Sequence, residues 1–139
     1  MVIEVDDILI KVYRRGVANF FCLTDILKAR ITRLTVSDWL RNQQTLQLLF
    51  AWEYGHNKKF NCGEFAIIME EAKRQGSRSY RISMKQWIER TNAIGLMVWA
   101  GRFGGTYGHG DIALEFADWV DPVFKGRLSD AICEVPVRK

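Results

Sequence analysis

The chain has 139 residues, 48% of them hydrophobic, and a formal net charge of +4. This length predicts one domain with a substantial hydrophobic core. The low count of two prolines argues against a disordered or repeat-type chain. No apolar stretch approaches the ~20 residues of a membrane span, and residues 1–4 do not begin a secretory signal. Cys22, Cys62 and Cys133 are far apart and without a CxxC motif, which favours a reducing compartment. We expect all three to be buried free thiols.

Hydrophobic periodicity predicts an α+β fold, a compact single domain of short antiparallel strands or hairpins packed with several helices. The first 42 residues carry four elements, in chain order a strand over 8–13, a returning strand over 19–23, a short helix through residue 29 and a short helix over 39–42. Arg15-Gly16 is the predicted turn of this hairpin, and Thr24 is placed to cap the first short helix.

The rest of the chain predicts five longer helices, each with a recognisable start. They begin, in chain order, at Thr45, Asn61, Ser83, Asp111 and Asp121, and the first three stop at Gly55, Gly76 and Gly95. Asn61 and Ser83 each precede a Glu or Gln by three residues, which is the spacing of a capping box. We expect most of the five tryptophans to lie in the core, the five being Trp39, Trp52, Trp87, Trp99 and Trp119.

Residues 99–111 combine five glycines with aromatic residues and one arginine. Glycine tolerates positive φ and lets the backbone approach another surface closely. A flexible linker would not carry Trp99, Phe103 and Tyr107. The flanking apolar segments therefore predict two short strands around a tight glycine turn, with Arg102 near its tip. A basic hairpin tip of this kind is typical of a DNA-binding wing, and a plain solvent-exposed hairpin is the alternative.

Basic residues are concentrated in two stretches of the sequence. Residues 11–33 carry six Lys and Arg against the single acid Asp25, and residues 73–90 carry six against Glu89. Residues 111–121 carry four acids and no base. One part of the surface is therefore expected to be basic and another acidic, although a solvated face also explains a charge run.

Motifs for catalysis or metal binding are missing from the sequence. His56 and His109 are its only histidines, and neither lies in HExxH or at zinc-ligand spacing from a cysteine. There is no GxSxG and no Walker loop, and residues 101–105 do not match GxGxxG. We expect no catalytic residue, no metal and no cofactor. His109 is expected to form local hydrogen bonds.

One set of residues, spread from about residue 8 to residue 125, carries a resemblance to a known family. The set comprises Leu23–Ile26, Trp39–Asn42, Thr45, Trp52-Glu53, Phe60-Asn61, Trp87-Ile88, Thr91–Gly95, Ala100–Tyr107, His109, Asp111–Trp119, Pro122 and Phe124-Lys125. It resembles the signature of the KilA-N domain, a DNA-binding family of phages, bacteria and large DNA viruses. The family is related to the APSES-type DNA-binding domains of fungal transcription regulators.

The resemblance implies a DNA-binding domain over residues 1–125, in which a helix pair and the glycine-rich wing face the duplex. Residues 126–139 form a tail where the family usually continues as a long charged helix. Arg41, Asn42 or Gln43 would read base edges, although Arg41 and Asn42 could instead bond to neighbouring helix ends. The expected DNA contacts are Gly101, Arg102, Phe103, Gly104, Gly105, Thr106, Arg41, Asn42, Gln43, Arg30, Arg33, Lys58 and Lys59.

The expected function is non-enzymatic binding of double-stranded DNA by a phage- or mobile-element-type transcription regulator. The expected location is the cytoplasm of a bacterium or of a virus-infected cell, without membrane association. Lys and Arg would neutralise phosphates, and N–H groups of the glycine turn would donate to them. The alternative is a protein-interaction module of antirepressor type whose main partner is a host protein. Basic residues converging on one face favour DNA, and a dominant exposed apolar patch favours a protein. RNA is a weaker third choice.

Overall fold

The structure is a computed structural model that describes residues 1–101 and 104–135. Its strands and α-helices, in chain order, are β1 (Val2–Val5), β2 (Ile8–Arg15), β3 (Ala18–Cys22), α1 (Leu23–Ile26), α2 (Gln43–His56), α3 (Cys62–Gln75), α4 (Met84–Thr91), β4 (Leu96–Trp99), β5 (Gly105–His109), α5 (Gly110–Val120) and α6 (Pro122–Cys133). Short 3₁₀ helices cover Leu27–Ala29 and Val36–Arg41. Contacts divide the chain into two units, one made of Met1–Thr35 with Val98–Lys139 and the other of Val36–Met97.

The strands form one sheet in the order β1-β2-β3-β5-β4, and the pairs β1–β2, β2–β3 and β3–β5 are antiparallel. Val12 pairs with Phe21, and Phe21 pairs with Gly108 on its other side. Side chains alternate between the two faces of a strand, so Val12 is buried in β2 while Tyr13 is exposed. The prediction of an α+β fold is confirmed.

The core of the first unit lies between the sheet and two helices. Helix α5 packs on β3, and α6 packs on α5 and β1. Phe21 of β3 and Phe116 of α5 are almost completely buried, as is Ile112. Burying a side chain of this size stabilises the fold by about 1.5–3 kcal/mol, so these residues hold the helices on the sheet.

The core of the second unit is aromatic. The rings of Phe50 and Phe65 stack with centroids 4.4 Å apart, which joins α2 to α3. Trp87 of α4 meets Phe65 edge to face at 6.1 Å and is fully buried. Edge-to-face and stacked rings add to the stabilisation from buried area, so three helices share one aromatic centre.

Several predicted helix ends are confirmed. The Asn61 side chain accepts a hydrogen bond from the Glu64 backbone N–H at 2.9 Å, and α3 stops at Gly76. Ser83 and Gln86 form the complete capping box of α4. The Asp121 carboxylate accepts from the Val123 N–H at 3.0 Å, which caps α6. Sequence spacing is sufficient here because each cap joins residues only two or three positions apart.

Other predicted helix ends are wrong. Helix α2 begins at Gln43 rather than at Thr45, and it runs through Gly55 to His56. Helix α4 ends at Thr91 rather than continuing to Ile94, because Asn92 adopts the left-handed conformation that closes a helix. Strand β1 (Val2–Val5) was not predicted from the sequence.

Two predicted caps are also wrong. The N-cap of α5 is His109, whose Nδ1 accepts a hydrogen bond from the Asp111 N–H at 3.2 Å. Asp111 therefore does not cap this helix, whereas the local hydrogen-bonding role of His109 is confirmed. Thr24 lies inside α1, whose N-cap is Cys22, and its hydroxyl has a different partner described below.

The burial of tryptophan and cysteine differs from the sequence prediction. Trp39 and Trp87 are buried, Trp52 and Trp119 are half-buried, and Trp99 is 39% exposed. The expectation that most tryptophans are core residues is therefore wrong. Cys22 is buried, but Cys62 and Cys133 are exposed. Both exposed cysteines lie at the ends of helices, where the periodicity of apolar residues does not indicate which side chains are exposed.

Candidate nucleic-acid interface

The glycine-rich segment forms the hairpin between β4 and β5 that the sequence predicts. The Gly104 N–H donates to the Gly101 carbonyl at 3.0 Å, so the ends of the two described stretches of this segment lie close together. A Cβ atom at Gly104 would collide with the Trp99 carbonyl oxygen, so only glycine fits there. Arg102 and Phe103, two of the expected DNA contacts, lie outside the described residues.

Thr24 anchors the outgoing strand of this hairpin. Its Oγ1 accepts a hydrogen bond from the Thr106 N–H at 3.2 Å. A Cβ at Gly105 would lie 3.1 Å from that oxygen and 3.2 Å from Cys22 Sγ, and Gly105 has a φ of +142°. The backbone therefore passes close to α1 at a point where any larger residue would be strained. Thr24 was missed as a site residue because its partner is 82 residues away in the sequence.

Three aromatic rings support the base of the hairpin. Trp99 contacts Tyr13 edge to face at 4.5 Å and lies 4.8 Å from Tyr107. Tyr107 is buried, and burial raises the pKa of its hydroxyl. Tyr13 and Trp99 stay about two-fifths exposed, at 40% and 39%. The base of the hairpin is thus aromatic and partly exposed to solvent.

A buried carboxylate neutralises two cations of the first basic stretch. Lys11 Nζ lies 2.9 Å from both oxygens of Asp25, and Lys28 Nζ lies 3.3 Å from Asp25 Oδ1. The Lys11 backbone N–H adds a third donor at 2.9 Å. Burial by itself raises the pKa of Asp25, but the hydrogen bonds from Lys11 and Lys28 outweigh it and hold this pKa below its ordinary value. Lys11 and Lys28 therefore serve the fold.

Arg30 and Arg33 are both exposed in the first unit. Arg30 Nη1 lies 3.5 Å from the Val120 carbonyl, the last carbonyl of α5, where a cation also offsets the helix dipole. Arg33 forms no ion pair with any carboxylate of residues 1–101 and 104–135. Of Arg30 and Arg33, only Arg33 can therefore contact a phosphate without losing a hydrogen bond like that of Arg30 to the Val120 carbonyl.

Arg41 binds the chain between α3 and α4. Its Nε donates to the Ser77 carbonyl at 3.1 Å and its Nη2 to the Arg78 carbonyl at 2.8 Å, while Nη1 lies 3.7 Å from Asp38 Oδ1. Asn42, next in the chain, occupies the N-cap position of α2, and its Nδ2 lies 3.5 Å from the Trp39 carbonyl. These bonds favour the alternative in which both side chains hold neighbouring helix ends. Gln43 is the half-buried first residue of α2.

Lys58 and Lys59 are exposed on the connection between α2 and α3. The Asn57 side chain accepts from the Lys59 N–H at 3.0 Å, and the Asn92 side chain donates to the Lys59 carbonyl at 3.1 Å. The backbone of this connection is therefore held on both sides while the two ammonium groups remain in solvent. Such an arrangement suits contacts to phosphates.

The described part of the chain offers no metal cluster and no membrane span. No three His, Cys, Asp or Glu side chains among residues 1–101 and 104–135 lie where they could hold a metal ion together. Within the same residues, no helix combines the length and the apolar character needed to cross a bilayer.

A model of the KilA-N domain family matches residues 3–136. The chain belongs to the KilA-N domain family. KilA-N is a DNA-binding domain family, so the resemblance seen in the sequence is confirmed. Comparison with curated proteins and with solved structures found no significant match.

This KilA-N domain carries its expected DNA contacts in both units. Those described in the first unit are Arg30, Arg33, Gly101, Gly104, Gly105 and Thr106, and those in the second are Arg41, Asn42, Gln43, Lys58 and Lys59. Thr106 is buried, and its N–H already has an acceptor. Among the expected contacts that the structure describes, the exposed cations whose charged groups stay in solvent are Arg33, Lys58 and Lys59. Their role as DNA contacts stays a prediction, as does the division of the chain at residue 125, a position inside α6.

Proposed function

We propose that this KilA-N domain is a non-enzymatic module that binds double-stranded DNA. The observation that carries the proposal is the family match, which extends over residues 3–136 of 139. A match of this extent covers both units of the chain, including the glycine-rich hairpin, the 3₁₀ helix that ends at Arg41 and the connection that carries Lys58. The proposed setting is the cytoplasm, in a phage- or mobile-element-type regulator of transcription.

The proposed mechanism assigns contacts to phosphates and recognition of bases to different residues. Lys58, Lys59 and Arg33 neutralise phosphates, which gives affinity that does not depend on sequence. Backbone N–H groups around Gly101 add contacts, as does the side chain of Arg102, which the sequence predicts to lie near the tip of the hairpin. The amide of Gln43, in the first turn of α2, is the proposed reader of base edges, because an amide pairs with the edge of adenine.

The test is a titration of the protein with random-sequence duplex, single-stranded DNA and RNA at 50 and 200 mM salt. We expect duplex to bind best, with a Kd of about 10⁻⁴–10⁻⁶ M near physiological salt, and binding to weaken as salt rises. Duplex affinity that is unchanged between the two salt concentrations would contradict a phosphate-contact mechanism. Preference for RNA or for single strands would redirect the proposal to that ligand.

Two variants test the proposed contacts. Lys58→Gln with Lys59→Gln removes two exposed charges, and Arg102→Ala removes one from the hairpin. Each lost phosphate contact should lower the salt slope by about one and weaken binding to all sequences alike. Arg127→Ala is the matched control, since Arg127 is exposed but paired with Asp6 at 2.7 Å. If the double lysine variant and Arg102→Ala both bind as the parent does, neither surface contacts DNA.

A protein partner is the second candidate function. The observation that favours it is the partly exposed pair Tyr13–Trp99 at the base of the hairpin, since aromatic rings are enriched in the centres of protein interfaces. Replacing Trp99 by Ser should then abolish capture of the partner while duplex binding persists. Loss of duplex binding with no change in partner capture would exclude this candidate for the Tyr13–Trp99 surface.

A further inference from the structure

A second group of cations, which the proposed mechanism does not use, lies where α3 passes into α4. It comprises the side chains of Arg74, Arg78 and Arg81, here called the connection cluster. Arg74 is in the last turn of α3, and the other two lie in the segment that leads to Ser83, the N-cap of α4. All three residues are exposed.

The backbone beneath the connection cluster is fixed by many hydrogen bonds. The Gly76 carbonyl accepts from the Ser79 N–H at 3.1 Å and from the Tyr80 N–H at 2.9 Å. Arg41 holds the carbonyls of Ser77 and Arg78, as described above. Arg81 Nη1 donates to the carbonyls of Arg78 and Tyr80, each at 3.0 Å. Tyr80 is buried, which ties the segment to the core.

Three acids on α3 and α4 are paired with cations outside the cluster. Glu64 and Glu71 both bind Arg90, at 2.8 and 3.0 Å, and Glu89 lies 4.0 Å from Lys85. In the part of the chain that the structure describes, no carboxylate lies within ion-pair distance of the connection cluster. The guanidinium groups of Arg74 and Arg78 thus stay available to an external anion on a fixed backbone, while Arg81 binds that backbone through Nη1.

We propose that the connection cluster binds phosphate groups of duplex DNA without reading its sequence. The proposal rests on the function proposed above and extends the contact surface to a segment outside the expected helix and wing. Guanidinium groups fit phosphate oxygens in pairs of hydrogen bonds. A duplex offers one charge per ~1.7 Å of axis, so separated arginines each find a phosphate on any sequence. The fixed backbone lowers the entropy lost when the surface is ordered on binding.

The test compares two double variants that each remove two positive charges. Arg74→Gln with Arg78→Gln alters the cluster at the two side chains that do not bind its backbone. Lys125→Gln with Arg127→Gln is the control, placed on α6. Duplex affinity is measured from 50 to 200 mM salt on random-sequence DNA, and thermal unfolding checks that each variant is folded. A third variant, with lysine in place of Arg74 and Arg78, keeps the charge.

The cluster variant should lower the salt slope by about two, at ~0.9 for each phosphate contact, while the control keeps the parent slope. The lysine variant should restore most of the slope. If the parent binds duplex and the cluster variant matches the control, the proposal is wrong and the proposed function stands. If the parent binds no duplex, both the role of the connection cluster and the proposed function are wrong. A polyglutamate peptide tests the other source of negative charge. Loss of peptide binding with an unchanged duplex slope would assign the cluster to an acidic protein segment.

Discussion

The carboxylate of Glu53 accepts a hydrogen bond from the backbone N–H of Gly95 at 2.8 Å. Glu53 is 1% exposed, and its oxygens also accept from the Ile94 N–H at 3.0 Å and the Asn57 amide at 2.9 Å. A residue in the third turn of α2 therefore fixes the backbone immediately before β4. The carboxylate stays buried because three donors replace the water it has lost.

Glu53→Ala should lower the free energy of unfolding by about 3 kcal/mol, because each buried N–H left without a partner costs roughly 1–3 kcal/mol. Glu53→Gln keeps one carbonyl oxygen and should lose less. Chemical denaturation measures both. Glu70→Ala, at an exposed site on α3, is the matched control and should stay within about 0.5 kcal/mol of the parent. Equal losses at Glu53 and Glu70 would contradict the role of the three bonds.

Asp25 should make the protein sensitive to acid. Because its pKa is lowered in the folded state, its contribution to stability is complete above the unfolded value of 3.8 and is lost as the pH falls through the lower, folded pKa. Lys11 has a raised pKa, mainly through its hydrogen bond to Asp25, so its contribution disappears only as the pH rises above 10.5.

Asp25→Asn should therefore be less stable than the parent at pH 7, and the difference should narrow below about pH 4. Thermal unfolding at several pH values measures this. Asp118→Asn, at an exposed carboxylate on α5, controls for the loss of one negative charge. A difference that stays constant down to pH 2 would show that folding does not lower the pKa of Asp25.

Glycine is required at position 105 but not at position 126. Gly105→Ala places a Cβ 3.1 Å from Thr24 Oγ1 at a φ of +142°, and we expect a loss of about 1–3 kcal/mol. Gly126 lies inside α6, where a Cβ meets nothing within 4 Å. Gly126→Ala should raise stability by about 0.5–1 kcal/mol, since glycine weakens a helix interior. Unfolding midpoints of the two variants should move in opposite directions.

Two tryptophans should respond differently to truncation. Trp87 is fully buried among Phe60 and Phe65, and Trp87→Ala should cost about 3–5 kcal/mol. Trp119 is half-buried beside Phe116, so Trp119→Ala should cost clearly less. Chemical denaturation of both variants checks the order. A larger loss at Trp119 would contradict the deeper burial of Trp87.

The candidate site could be predicted from the sequence only in part. The hairpin of residues 96–109 was predicted because glycine spacing and flanking apolar residues are local signals. The bonds of Arg41 to Ser77 and Arg78 join residues 36 and 37 positions apart, and no local pattern reports them. From the sequence alone, Arg41 is therefore predicted to contact DNA bases. In the structure its hydrogen bonds hold the backbone beneath the connection cluster.

The sequence by itself determined the fold class, the caps at Asn61, Ser83 and Asp121, and the family. These depend on periodicity and on residues within a few positions of one another, so one chain segment contains the whole signal. Only the tertiary structure decided where α4 ends, which tryptophans are buried and which cations remain in solvent. Each of these depends on partners distant in the sequence. Glu53 holds Gly95, Asp25 holds Lys11 and Arg90 holds Glu64 because folding brings them within hydrogen-bond distance.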